Sequence, residues 1–288
     1  MHDLSDINTI KSLLGRHGFT FSKSMGQNFL IDPTVCPRMA ESCGIDKDSA
    51  VIEIGTGVGV LTKELSLRAA KVAGVELDTR LLPVLAETLT DCRNVEIINE
   101  DVLKTDLHKL IAEKFEGRKT YVCANLPYYI TSPVIMYLLE NRLPIEAITV
   151  MVQKEAADRL CAPVGSRDSG AITVAVNYYA TAQRLFDVPR TAFLPSPNVD
   201  SAVLRLDLRK TPPVDVPSEE FFFKVVRAAF SMRRKTAQNG LSNGLSVSKQ
   251  TAAQALEAAG LSPTVRAESL TLEELAELAR QLHNIIGG

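Results

Sequence analysis

Val51, Ile52, Glu53, Ile54, Gly55, Thr56, Gly57, Val58, Gly59, Val60 and Leu61 form the stretch on which the fold of this chain turns. Apolar residues bracket one acid and then give way to three glycines at alternate positions. The pattern is that of a buried parallel strand running into a tight loop, where the missing Cβ lets the backbone approach a ligand. A helix is expected to begin near Val60, its free N–H groups facing the same crevice.

The spacing is Glu-x-Gly-x-Gly-x-Gly, unlike the Gly-x-Gly-x-x-Gly of a pyrophosphate site. Glu53 would stand at the carboxyl end of the strand, where a carboxylate repels phosphate but suits a cation or a ribose. That favours S-adenosylmethionine over NAD.

Outward from this stretch the chain alternates. Strands are expected at 51–54, 71–77, 95–98, 121–124 and 147–153, with helices at 61–67, 81–89, 107–115, 133–139 and 154–160. Such spacing marks βαβ units and a mostly parallel sheet. Glu76 falls 21 residues beyond Gly55, the distance at which such a fold delivers an acid to a ribose. Asp101 ends the next strand and can accept from an adenine amino group. Residues 171–179 read as a further strand, 186–188 as another, and 199–208 alternate cleanly as the last.

Before the sheet, residues 6–17 read as an amphipathic helix. The mixture of aromatic, basic and amide residues at 19–31 is either an arm packed by its aromatics or one that closes over a cofactor with Gln27 and Asn28. Asp32 and Pro33 look like N-cap and first residue of the next helix. The Pro-rich run 210–217 marks a domain boundary. A first domain of 1–210 is expected to be followed by a helical one of 211–288, whose Phe221–Phe223 run is expected in its core.

After the fourth strand come Asn125, Leu126, Pro127, Tyr128 and Tyr129. An amide, a proline and two aromatics at the mouth of a crevice suit a flat ring bearing an amino group. Adenine N6 is a poor nucleophile because its lone pair is delocalised, so transfer to it calls for geometry rather than a strong base. The Asn125 side-chain oxygen and the Leu126 or Pro127 carbonyl can accept the two amino hydrogens. Tyr128 can stack on the extracted base, with Phe193 closing its other face.

Composition narrows the alternatives. With 288 residues, 45% of them hydrophobic, and no continuous 18-residue apolar run, the chain reads as globular, with no membrane span and no signal peptide. Five cysteines without a Cys-x-x-Cys pair fit free thiols in the cytoplasm. No His/Cys/Asp cluster suggests a metal site, and none of the four histidines neighbours the crevice segments. A net charge of -2 excludes an indiscriminate coat for nucleic acid. Nevertheless Lys224, Arg227, Arg233, Arg234, Lys235 and Lys249 occupy 221–250 without an acid, which is where phosphate contacts are expected. No stretch reads as an obligatory interface, so a monomer is expected.

The chain resembles the KsgA family, the small-subunit (16S) ribosomal RNA adenine dimethyltransferases. The resemblance rests on 23–32 (KSMGQNFLID), 53–62 (EIGTGVGVLT), 75–78 (VELD), 125–133 (NLPYYITSP), 152–155 (VQKE), 193–206 (FLPSPNVDSAVLRL), 226–236 (VRAAFSMRRKT) and 266–270 (RAESL). It implies a Rossmann-like class I methyltransferase domain with a smaller all-helical C-terminal domain that assists RNA binding. The implied reaction is N6,N6-dimethylation of two adjacent adenosines in the 3′-terminal hairpin loop of 16S rRNA during small-subunit biogenesis, with S-adenosylmethionine as donor. The implied cofactor contacts are Gln27, Asn28, Leu30, Glu53, Gly55, Gly57, Glu76, Asp101, Val102 and Asn125. The implied catalytic set is Asn125, Leu126, Pro127 and Tyr128, with Phe193 lining the base pocket. Thr56 replaces the family's common Pro or Ala, and 163–170 departs from its usual loop.

Two other readings share the fold. One is a large-subunit rRNA adenine methyltransferase of the antibiotic-resistance type, with a similar Asn-x-Pro-aromatic motif. The other is a non-catalytic rRNA-binding assembly factor, which the presence of Glu76, Asp101 and Asn125 disfavours. A nicotinamide dehydrogenase fails on the glycine spacing.

Overall fold

A computed structural model describes residue 4 and residues 6–19, 28–232 and 234–287. Gln27, an expected cofactor contact, and Arg233 lie outside the described residues. The chain forms two compact units, one of residues 1–157 and 183–208, the other of 158–182 and 209–288.

In the first unit α1 (Ile7–Arg16) leads to β1 (Phe29–Leu30) and α2 (Val35–Ser42). Five strand–helix steps follow: β2 (Ala50–Ile54) and α3 (Val60–Ser66), β3 (Lys71–Val75) and α4 (Leu82–Thr88), β4 (Val95–Ile98) and α5 (Leu107–Lys114), β5 (Thr120–Asn125) and α6 (Thr131–Glu140), β6 (Ala147–Gln153) and α7 (Lys154–Leu160). The chain later contributes β7 (Ala180–Val188), β8 (Phe193–Leu194) and β9 (Ser201–Leu208). The seven-stranded sheet has the order β4-β3-β2-β5-β6-β9-β7. Strands β2 to β6 pair in parallel, and β9 runs antiparallel to β6 with Gln153 opposite Ser201.

All five residues of β2 are buried, as a strand covered on both faces must be. Because the order reverses at β2, a crevice opens where β2 and β5 end, the place where such sheets bind ligands. The helix α1 buries Ile10, Leu13 and Leu14 in a cluster with Phe29, Val58, Leu81 and Leu85. Asp6 caps it, accepting from Thr9 N at 2.8 Å.

Two local expectations are corrected in this unit. Asp32 is not the N-cap of α2. Its Oδ1 accepts from Thr34 N at 2.9 Å and from the Thr34 hydroxyl, a turn that precedes a helix starting at Val35. The strand read at 186–188 is the end of the longer β7.

The second unit is helical: α8 (Ala171–Tyr179), α9 (Glu219–Phe230), α10 (Ala237–Gly244), α11 (Lys249–Ala258) and α12 (Leu272–Ile286). Residues 171–179, expected as a strand, are thus a helix. Thr173, Val174, Ala175, Val176, Tyr178 and Tyr179 are all buried, and a helix buried on nearly every side shows no amphipathic period to separate it from a strand. The Thr173 hydroxyl closes its first turn, accepting from Gly170 N at 3.0 Å. Tyr178 and Tyr179 pack on Phe222 and Phe223 of α9, with Tyr179 and Phe223 stacked at 5.1 Å. Those aromatic contacts hold 158–182 in the second unit, whereas the sequence reading kept this segment in the first. The Phe run is core, as expected, with Phe222 and Phe223 buried. Ser218 caps α9, and a reciprocal Thr271–Glu274 box starts α12.

Candidate active site

One cleft gathers nearly all the residues singled out from the sequence. Asn28, Leu30, Glu53, Gly55, Gly57, Glu76, Asp101, Val102, Asn125, Leu126, Pro127, Tyr128 and Phe193 all line it. It encloses about 1180 Å³, open solvent included.

The glycine loop and Glu76 form one hydrogen-bonded unit. Glu76 immediately follows β3, and its Oε2 accepts from Gly57 N at 3.0 Å and from the Thr56 hydroxyl at 3.2 Å. Its Oε1 accepts from Asp78 N at 2.9 Å. Burial raises the Glu76 pKa, while these three donors pull it down and the Asp78 carboxylate adds to the rise. Gly57 has φ +57°, and a Cβ there would sit 3.3 Å from the Phe29 ring. The loop therefore requires glycine for both its backbone and its packing. Gly74 on β3 matters similarly, since a Cβ would come within 2.5 Å of the Thr56 methyl. Thr56 thus lies over a strand hollowed to receive it.

Glu53 sits beneath the loop and is 1% exposed. Its Oε2 has no hydrogen-bond partner. Burial pushes its pKa well up, the Thr62 hydroxyl opposes the shift, and the Glu76 carboxylate adds to it. Asp101 lies past the end of β4, where its Oδ1 accepts from Leu103 N at 3.1 Å.

On the other side of the crevice, Asn125 ends β5 and a single 3₁₀ turn, Tyr128–Ile130, leads into α6. The Pro127 carbonyl receives Ile130 N at 3.1 Å and the Thr131 hydroxyl at 3.4 Å. Leu126 is anchored through its N–H to Met151 O at 3.2 Å. The Tyr128 and Ser201 hydroxyls share a hydrogen bond at 2.8 Å. Burial raises the Tyr128 pKa against the opposing pull of Ser201, with Asp200 adding to the rise. Phe193 is 3% exposed and forms part of the wall.

Three features of the site, two in its lining and one behind it, were not read from the sequence. The pairing of β1 with β8, Leu30 opposite Phe193, ties the N-terminal arm to the wall of the cleft. Met39 and Met151 add apolar surface. Ser201 is fully buried beside Tyr128, and its only sequence signal is a small hydroxyl residue opening a strand whose next three residues are apolar. No group of three or more His, Cys, Asp or Glu able to hold a metal occurs among the described residues. Nor is any described helix long and apolar enough to cross a membrane.

A family model described as ribosomal RNA adenine dimethylase matches residues 18–283. The ribosomal RNA small subunit methyltransferase A of Geobacillus thermodenitrificans (strain NG80-2) is 51% identical over 287 residues, covering 98% of either chain. A dimethyladenosine transferase from Plasmodium falciparum has a TM-score of 0.72 at 23% identity, over 89% of this chain and 98% of its own. The 23S rRNA methyltransferase ErmE has a TM-score of 0.64 at 28% identity, over 88% of this chain and 99% of its own. The solved structures place the larger unit among class I methyltransferase folds.

Proposed function

Since the chain belongs to the family of ribosomal RNA adenine dimethylases, we propose that its cleft dimethylates N6 of two adjacent adenosines in the 3′-terminal hairpin loop of 16S rRNA, within an immature small subunit in the cytoplasm. The observation that carries this reading is the meeting, in one crevice, of a carboxylate held by the glycine loop and an Asn-Leu-Pro-Tyr turn.

The residues fit S-adenosylmethionine. Glu76 keeps one lone pair, on Oε1, for a ribose hydroxyl, Gly55 leaves open space where a Cβ would meet nothing nearer than 4.0 Å, and the orphaned Glu53 Oε2 gains a partner when a cation binds nearby and takes the place of its proton. When bound, the cofactor supplies an electrophilic methyl group on a sulfonium. Asn28, Leu30, Gly55, Asp101 and Val102 line the space around it.

The acceptor side is organised by Asn125. Its side-chain oxygen takes one amino hydrogen of the base, and the Leu126 carbonyl takes the other, because the Pro127 carbonyl is already engaged by Ile130 and Thr131. Two acceptors so placed turn the nitrogen lone pair along the crevice. With the methyl group supplied by the bound cofactor, the amino proton would leave to water. Among the described residues no histidine lines the cleft to take it. Tyr128 stacks on the base, held in position by Ser201, and Phe193 walls the pocket.

The second unit assists by meeting RNA phosphates with Lys224, Arg234, Lys235 and Lys249, all exposed. A monomer is the proposed state, because no stretch of the sequence reads as an obligatory interface.

The test is methyl transfer from labelled S-adenosylmethionine to small subunits lacking the modification, with nucleoside analysis and large subunits as control. Dimethyladenosine in small-subunit RNA alone is the expected result. Transfer to large subunits instead would move the assignment to the resistance enzymes, and cofactor binding without transfer would leave an assembly role.

A further inference from the structure

Tyr128 and Tyr129 are neighbours with opposite fates. Tyr128 is tied to the buried Ser201 hydroxyl, whereas the Tyr129 side of the same 3₁₀ turn faces water, with the residue 57% exposed. In a 3₁₀ turn successive side chains point about 120° apart, so the two rings cannot serve one base. Tyr129 is the one aromatic among the exposed large hydrophobic side chains of the described residues, and it lies on the lining of the catalytic cleft. A large ring left in water at the mouth of a pocket costs the free protein apolar exposure that a flat ligand would relieve.

We propose that Tyr129 is the stacking platform for the nucleotide adjoining the extracted adenosine, the second acceptor of the pair. This rests on the function proposed above and adds to it a residue that handles the neighbour. A base taken out of its stack leaves the next base with one face uncovered. Tyr129, one residue from the ring that holds the target, is placed to cover that face. Base–aromatic stacking is tolerant of base identity, so the contact would serve whichever of the two adenosines is outside the pocket. Exchange of the pair between Tyr128 and Tyr129 then requires no new surface.

The test compares the full-length protein with Tyr129→Ala and Tyr129→Phe on small subunits lacking the modification. Cofactor affinity, kcat/KM and the extent of dimethylation at each of the two adenosines are measured. Removing the ring is expected to lower kcat/KM by about 5- to 100-fold, with cofactor affinity unchanged and the two adenosines no longer modified to equal extents. Tyr129→Phe, which keeps the ring, is expected to recover most of the loss. The inference is overturned if Tyr129→Ala matches the parent on both adenosines, if Tyr129→Phe is as impaired as Tyr129→Ala, or if the loss lies in cofactor affinity. A parent protein that transfers no methyl group overturns the function proposed above and this inference with it, so the two failures are separate. Because Tyr129 is exposed, its replacement leaves the core intact.

Discussion

The Tyr128 hydroxyl lies 2.8 Å from Ser201 Oγ, joining the turn after β5 to the first residue of β9 across 73 positions of sequence. Ser201 is fully buried, so the contact is shielded from competing water. A phenol fixed at its far end leaves the ring little freedom to swing.

Ser201→Ala is therefore expected to lower kcat by about 3- to 10-fold, the value of one hydrogen bond of roughly 0.5–1.5 kcal/mol. Cofactor affinity should be unchanged. Tyr128→Phe removes the same bond from the other side, and the double variant should be no worse than the poorer single one. Additive losses would mean that the two hydroxyls act separately.

Asn125→Ala removes one of the two acceptors for the amino group. Methyl transfer should fall roughly 10²-fold or more, while cofactor affinity, read by calorimetry, changes much less. Equal losses in both would make Asn125 a cofactor residue only.

Glu53 gives a pH signature. Its carboxyl is raised well above the ordinary 4.5 by burial, against the Thr62 hydroxyl and with help from Glu76. The folded chain thus keeps a proton that the unfolded chain has lost, and stability falls as pH rises from 4.5 through the raised value. Glu53→Gln abolishes that titration. Without ligand, the variant's thermal midpoint should gain on the parent's as pH rises above about 5. A difference that is independent of pH would mean Glu53 does not titrate as a buried acid.

The basic face of the second unit is tested by salt. Arg234 and Lys235 are exposed. Neutralising both should weaken RNA binding and flatten the slope of log affinity against log salt by up to about 0.9 per lost phosphate contact. An unaltered slope would remove these two residues from the footprint.

The cofactor half of the site was legible because parallel strands buried on both faces leave apolar runs, and the ends of those runs deliver Glu76, Asp101 and Asn125 to one edge. The glycines announced the loop for the same local reason. What escaped was nonlocal. Ser201 acquires its role only through the register of β9 on β6, and β1, two residues long, is too short to show alternation. The segment 171–179 is so uniformly buried that its helical period vanished. Thr56 stood out only as a departure from the family's common Pro or Ala, yet its hydroxyl reaches Glu76 and its methyl lies over Gly74.

The direction of β9 has a further effect. Parallel strands bring to the binding edge only the residues at which they exit, as β2 does Gly55, β3 Glu76 and β5 Asn125. A strand of reversed direction brings the residue at which it enters, here Ser201, whose hydroxyl meets Tyr128. The two sides of the cleft are thus fed by opposite ends of their strands, so the Tyr128 side depends on the antiparallel register of β9 while the glycine-loop side does not.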